Sequence, residues 1–116
     1  MKIPFSPPDM TELEAQGASE AILSGWITTG PKTKEFERQI AEYCHVNKAV
    51  CLNSQTACAE MALRLLGIGA ENGGSSFDEV IVPAYTYTAS ASVVCHVGAK
   101  LVLIYSQTDS LEMDYE

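Results

Sequence analysis

A chain of 116 residues, 47% apolar and 19% charged, can form one modest domain with a real core and has the composition of an ordinary soluble globular protein. Its formal net charge of −8 argues against nucleic acid or an anionic membrane surface as partner. No apolar run reaches membrane-spanning length, and no basic-apolar-small leader is expected at the start.

In chain order, Met1 to Pro8 reads as an extended, proline-rich segment. Asp9 followed by Glu12 reads as a helix cap, and a helix over 9–24 follows with Leu13, Ile22 and Leu23 as its main apolar groups. Gly25 ends it, and Gly25–Pro31 is a loop that carries the only tryptophan, Trp26. Thr33 is placed to cap a second helix over 33–43, in which Phe36, Ile40 and Tyr43 fall on one face. His45 has no second ligand at metal spacing, so no metal site is expected. Ala49 to Leu52 reads as a short buried strand.

The turn Asn53-Ser54-Gln55-Thr56 then leads into a helix to Leu66, with Ala57, Met61 and Leu65 as its stripe and Gly67 and Gly69 as its stop. Ala70 to Phe77 is a loop. Glu79 to Val82 is a continuous apolar run suited to a buried parallel sheet. Pro83 to Thr88 is a second strand-to-helix turn, followed by a helix to Val97, a stop at Gly98 and a third strand over 101–105. Ser106 to Met113 is a loop, and residues 114–116 resemble the first turn of a helix. None of the four cysteines, Cys44, Cys51, Cys58 and Cys95, forms a C-x-x-C pair. Free thiols are expected, buried at Cys51 and Cys95, which points to a reducing cytoplasm.

Strand-helix-strand-helix-strand alternation predicts a parallel α/β sheet with helices on its faces. Ligands of such sheets bind beyond the carboxyl ends of the strands. Both special turns lie there. Ser54, Gln55 and Thr56 offer hydroxyls, an amide and the free N–H groups of a helix start, which suit an anion such as phosphate. Tyr85 and Tyr87 add an aromatic platform at the same edge, and aromatic stacking contributes about 0.5–1.5 kcal/mol beyond burial. The turn lacks the glycine pattern of a P-loop or a dinucleotide fingerprint, so spacing alone leaves ordinary helix capping and packing as the alternative.

Five segments in register carry a resemblance: G-W-I-T-T-G-P (Gly25 to Pro31), N-S-Q-T-A (Asn53 to Ala57), L-G-I-G (Leu66 to Gly69), D-E-V-I-V-P-A-Y-T-Y (Asp78 to Tyr87) and H-V-G-A (His96 to Ala99). Together they resemble the opening of the DegT-type sugar aminotransferases, which use pyridoxal phosphate. The resemblance implies residues 1–116 of a truncated, three-layer parallel-sheet piece of the fold type I aminotransferase large domain. It implies that Gln55 and Thr56 hold the cofactor phosphate and that Tyr87 stacks on the pyridine ring. Trp26, Thr28, Thr29 and Gly30 correspond to a loop near the substrate pocket. The parent would be a cytoplasmic homodimer or higher oligomer of cell-surface polysaccharide biosynthesis. It would move an amino group from an amino acid such as glutamate or glutamine onto a nucleotide-linked keto sugar.

The chain departs from that pattern in two places. The connection before Asp78 is lengthened by AENGGSSF, at the end of the sheet away from the cup. Tyr105 stands where the family commonly carries an acid. In the family the lysine of the Schiff base and the acid that partners the pyridine nitrogen lie further along than Glu116. Lys48 and Lys100 precede strands, Lys32 and Lys34 flank a helix start, and Lys2 is terminal, so none is expected to anchor the cofactor. Asp78 lies at the wrong end for the pyridine partner, and no motif supports Asp109 or Asp114. No catalytic residue is therefore expected in this chain. A non-catalytic binding or dimerisation module of the same fold, or a piece of a sugar dehydratase using the same cofactor, are the alternatives.

Overall fold

Where each helix begins is decided by which residue can satisfy the first free N–H groups. The structure is a computed structural model, described here over residues 6–115. Helix α1 spans Glu12–Leu23, and its cap is Thr11 rather than Asp9. Thr11 is extended, its hydroxyl accepts from Leu13 N at 3.2 Å, and its own N–H donates to Glu14 Oε2 at 2.6 Å. That is a reciprocal capping box two residues later than the Asp9–Glu12 pair. Helix α2 spans Pro31–Tyr43, two residues longer at its start than a Thr33 cap predicts. Gly30 is its cap and Pro31 its first residue, where a missing N–H costs nothing. Phe36, Ile40 and Tyr43 remain 56%, 38% and 84% exposed, so the apolar face that periodicity identified is formed but uncovered among the described residues.

The chain divides into two compact units, Met1–Cys51 and Leu52–Glu116. The strand expected over 49–52 does not form, and the border between the units falls there. A strand exists only through its ladder of hydrogen bonds, and no described segment pairs with this one. The Cys51 N–H donates instead to the Glu37 carboxylate at 2.9 Å.

In the second unit, α3 (Gln55–Leu65) is followed by a 3-10 turn at Ala70–Asn72, strand β1 (Glu79–Pro83), helix α4 (Thr88–His96) and strand β2 (Lys100–Ile104). The strands pair in parallel with Val80 opposite Leu101 and Val82 opposite Leu103, and α4 forms the crossover. Val82, Val93 and Val94 are buried together, with Ala59, Leu63, Val80, Ala99 and Leu101 packed against them. The core thus lies where α4 covers one face of β1 and β2 and α3 packs beside α4 with Ala59 and Leu63. The sheet has two strands among the described residues, not three, and Ile81 is 60% exposed. Cys95 is exposed and Cys51 half-buried, contrary to the expectation of buried thiols; no disulfide links the four cysteines. Cys95 sits on α4, whose buried positions are Val93 and Val94. The segment after β2 turns back through a Ser106–Met113 bridge, held by Gln107 N–H to Glu112 O at 2.9 Å. Asp114 and Tyr115 do not start a helix, because Asp114 N is drawn onto Tyr105 O at 2.8 Å.

The long connection from α3 to β1 is built around one carboxylate. Asp78 Oδ2 accepts from Gly69 N at 2.9 Å and from Ser75 N at 2.8 Å. These N–H groups, Ser75 first, hold the Asp78 carboxyl below its ordinary value of 3.8. A carboxylate whose folded-state pKa is depressed stabilises fully above the unfolded value, and that contribution is lost as pH falls through the folded value. Asp78→Asn is therefore expected to lower the melting temperature at neutral pH and to leave it much closer to the parent's below about pH 3. Thermal melts of both proteins across that range check this, and parallel curves would refute it.

Candidate functional site

Ser54 is extended at φ −163°, so its hydroxyl turns back to accept from Ala57 N at 3.1 Å while its carbonyl accepts from Cys58 N at 3.1 Å. That leaves the N–H groups of Gln55 and Thr56, in the first turn of α3, with no acceptor among the described residues. The Thr56 hydroxyl is likewise unpaired there. This donor set is the chemistry that a phosphate dianion requires, at the positive end of a helix.

The other end of α3 fixes where that start lies. Glu60 on α3 meets His96 Nδ1 on α4 at 3.0 Å, and Arg64 Nη2 donates to His96 O at 3.3 Å. His96 first, then Arg64, holds the Glu60 carboxyl below its ordinary value. The carboxyl ends of α3 and α4 are thus tied together and lead into the amino ends of β1 and β2. Their starts therefore lie toward the carboxyl end of β1. Tyr87 is the residue at the start of α4 and is 83% exposed; Tyr85 is 71% exposed. The Thr86 and Ser90 hydroxyls lie 3.0 Å apart and brace that turn. Gln55, Thr56 and Tyr87 accordingly sit on adjacent helix starts at one edge of the second unit.

In the first unit the loop after α1 closes on itself. Trp26 Nε1 donates to Thr29 O at 3.0 Å, and its ring lies directly over Gly30. A Cβ on Gly30 would stand 1.9 Å from the indole nitrogen, so glycine is required there by close approach, at φ −162°. The loop and the adjoining ends of α1 and α2 line a cleft of about 510 Å³. Trp26, Thr28 and Gly30 line it; Thr29 is not among the lining residues and contributes its carbonyl to the indole. Ser24, Lys32 and Thr33 also line it, although nothing in the sequence marks them as pocket residues. They come from two helix ends that only folding brings together.

Among the lysines, Lys100 opens β2 and pairs with Glu79 at 2.6 Å, at the end of the sheet opposite the helix starts. Lys32 donates to Gly17 O at 3.0 Å within the first unit. Lys2 lies outside the described residues. Among those residues no cluster of His, Cys, Asp and Glu could hold a metal, and no helix is long and apolar enough to cross a membrane.

The model of the DegT/DnrJ/EryC1/StrS aminotransferase family matches residues 8–116. The chain belongs to this family. A DegT-family relative, the UDP-4-amino-4-deoxy-L-arabinose–oxoglutarate aminotransferase of Shewanella sediminis, is 35% identical over 112 residues, 97% of this chain and 27% of the relative. The spore coat polysaccharide biosynthesis protein SpsC of Bacillus subtilis is 34% identical over the same shares. A solved structure titled putative sugar aminotransferase Spr1654 from Streptococcus pneumoniae, in its PLP form, is 55% identical with a TM-score of 0.82. It is matched over 99% of this chain and 28% of its own. The chain thus spans about a quarter of the length of the DegT-family relatives it matches.

Proposed function

We propose that this chain supplies the phosphate cup and the ring-stacking wall of a pyridoxal phosphate-dependent aminotransferase that acts on a nucleotide-linked keto sugar. The observation that carries this reading is the pair of free N–H groups at Gln55 and Thr56, on a helix start beside the exposed Tyr87, in a chain of this family. Gln55 and Thr56 hold the phosphate through two backbone N–H groups and the Thr56 hydroxyl, and Tyr87 packs against the ring. Pyridoxal phosphate, when bound, supplies the electron sink through which an amino group moves between carbon skeletons. The chain's own contribution is to bind and orient the cofactor.

The cleft at Trp26, Thr28 and Gly30, with Thr29 holding the indole, is the proposed contribution to the sugar pocket. The one lysine of the second unit, Lys100, opens β2 at the end of the sheet away from the starts of α3 and α4, which supports a reading in which the lysine that anchors the cofactor covalently lies elsewhere and this chain by itself does not transaminate. The names of the relatives support a sugar substrate with an amino acid as amino donor, in polysaccharide biosynthesis. The uncovered Ile81, Phe36 and Tyr43 support a homodimeric parent in which further polypeptide covers these faces of the large domain's amino-terminal portion.

Pyridoxamine 5′-phosphate, which has no aldehyde to react with surface lysines, is the probe that tests the cup. Saturable binding to the chain is expected, with Thr56→Val weakening it about tenfold, the value of a hydrogen bond to a charged group. Equal affinity of parent and variant, or no saturable binding to either, would rule the cup out. Borohydride treatment with pyridoxal phosphate is expected to mark no single lysine. One specific adduct accompanied by turnover would overturn the anchoring claim.

A further inference from the structure

The lengthened connection between α3 and β1 is fastened at its corner by one side chain, Asn72. Its Nδ2 donates to Ile68 O at 2.8 Å and to Val97 O at 3.3 Å, and its Oδ1 accepts from Arg64 Nη1 at 3.1 Å. Arg64 is itself fixed by Glu60 and by His96 O. One amide therefore joins the end of α3, the end of α4 and the loop. The residue after it is Gly73, in the left-handed region at φ +94° and exposed. An asparagine followed by glycine is the sequence in which the backbone nitrogen most readily reaches the side-chain carbonyl, because no Cβ obstructs the approach.

We propose that Asn72 is a self-modification site, in which the amide that fastens this corner is converted to an acid by the backbone of Gly73 once the corner opens. The Gly73 nitrogen gives up its proton and forms a bond to Asn72 Cγ. The Cγ–Nδ2 bond breaks and ammonia departs with that proton, leaving a five-membered imide. Water then opens the ring at either carbonyl, giving aspartate or its β-linked isomer. No oxidant or reductant is involved. In the closed corner both the leaving nitrogen and the carbonyl oxygen are engaged, so the reaction waits on local opening. The product cannot close the corner again: an oxygen replaces the donor that faced Ile68 O and Val97 O, and two carbonyls then confront a carboxylate. Opening is thus recorded irreversibly at one residue.

The test is peptide mapping by mass spectrometry after incubation of the full chain at mildly alkaline pH, with Asn47 and Asn53 as internal references. In denaturant Asn72 is expected to convert faster than either reference. In the folded chain its conversion should slow about tenfold or more, and Arg64→Ala should recover most of that difference, since it removes a charged hydrogen-bond partner. A folded parent that converts Asn72 at the denatured rate overturns the proposal, as does Arg64→Ala without acceleration. The parent alone gives a second measurement should the variant not fold. Denaturant below the unfolding midpoint should speed conversion of Asn72 and hydrogen exchange at Gly74 N, which bonds Gly69 O at 3.2 Å, in parallel. Conversion that ignores opening overturns the proposal as well.

Discussion

Gly69→Ala is expected to cost about 3 kcal/mol, read as a fall in the urea unfolding midpoint at unchanged slope. Two costs add. Gly69 has φ +89°, a conformation that a residue with a Cβ adopts only under strain. Its new methyl group would also lie 1.8 Å from Val97 O, at the carboxyl end of α4. Neither can be relieved locally. Gly69 N is committed to Asp78, Gly69 O accepts from Asn72 N and Gly74 N, and the residue is buried. A shift of Gly69 away from Val97 therefore breaks the loop that Asp78 organises. Gly25, also at positive φ but with open space around it, is the control: alanine there meets only the backbone cost and should destabilise less. Equal effects at the two positions would mean that the approach to Val97 does not matter.

Val94→Ala is the second large effect, at about 2–3 kcal/mol. Val94 is 1% exposed and packs with Val82 and Val93 between α4 and the sheet. Its lining includes Ala59 and Leu63 of α3, so a cavity there loosens the helix pair as well as the strand contact. With so few fully buried side chains among the described residues, the loss of two methyl groups removes a large share of the core. Calorimetry on the parent and variant checks it. Val102→Ala, at a half-buried position of β2, should cost clearly less, and the reverse order would place the core on the wrong face of the sheet.

The elements that could be read from sequence are those whose cause is local. β1 and β2 are short apolar runs bounded by Asp78 and Pro83 and by Gly98 and Tyr105, and α4 fills the crossover between them. α3 follows from a serine cap, but its expected stripe of Ala57, Met61 and Leu65 is not the face that packs: Met61 and Leu65 stay exposed, and Ala59 and Leu63 meet the core. What failed depended on partners. Residues 49–52 have the composition of a strand, but composition supplies no neighbouring strand to bond with. Asp9 and Thr11 are both good caps, and the choice rests on which one lets Glu14 reach back. Asp114 and Tyr115, expected to open a helical turn, lost it to a backbone bond from Asp114 to Tyr105, and Glu116 lies outside the described residues. Asp78 read as a residue before a strand; that it gathers Gly69 and Ser75 is visible only in three dimensions. At the candidate site, the free donors of Gln55 and Thr56 follow from their place in the first helical turn. Their standing on the same edge as Tyr87 is expected from the strand-helix alternation; what the sequence does not announce is the tie between Glu60 and His96 that holds α3 and α4 together.

Trp26 is the only tryptophan in the chain, and its indole N–H is held by the loop that it covers. The emission of the whole protein near the red end of the aromatic range therefore comes from one place, the roof of the cleft over Gly30. Whatever enters that cleft, or lifts the ring from Gly30, changes the polarity around a single fluorophore. The first unit carries its own optical gauge, and the second, which has no tryptophan, is silent in that channel.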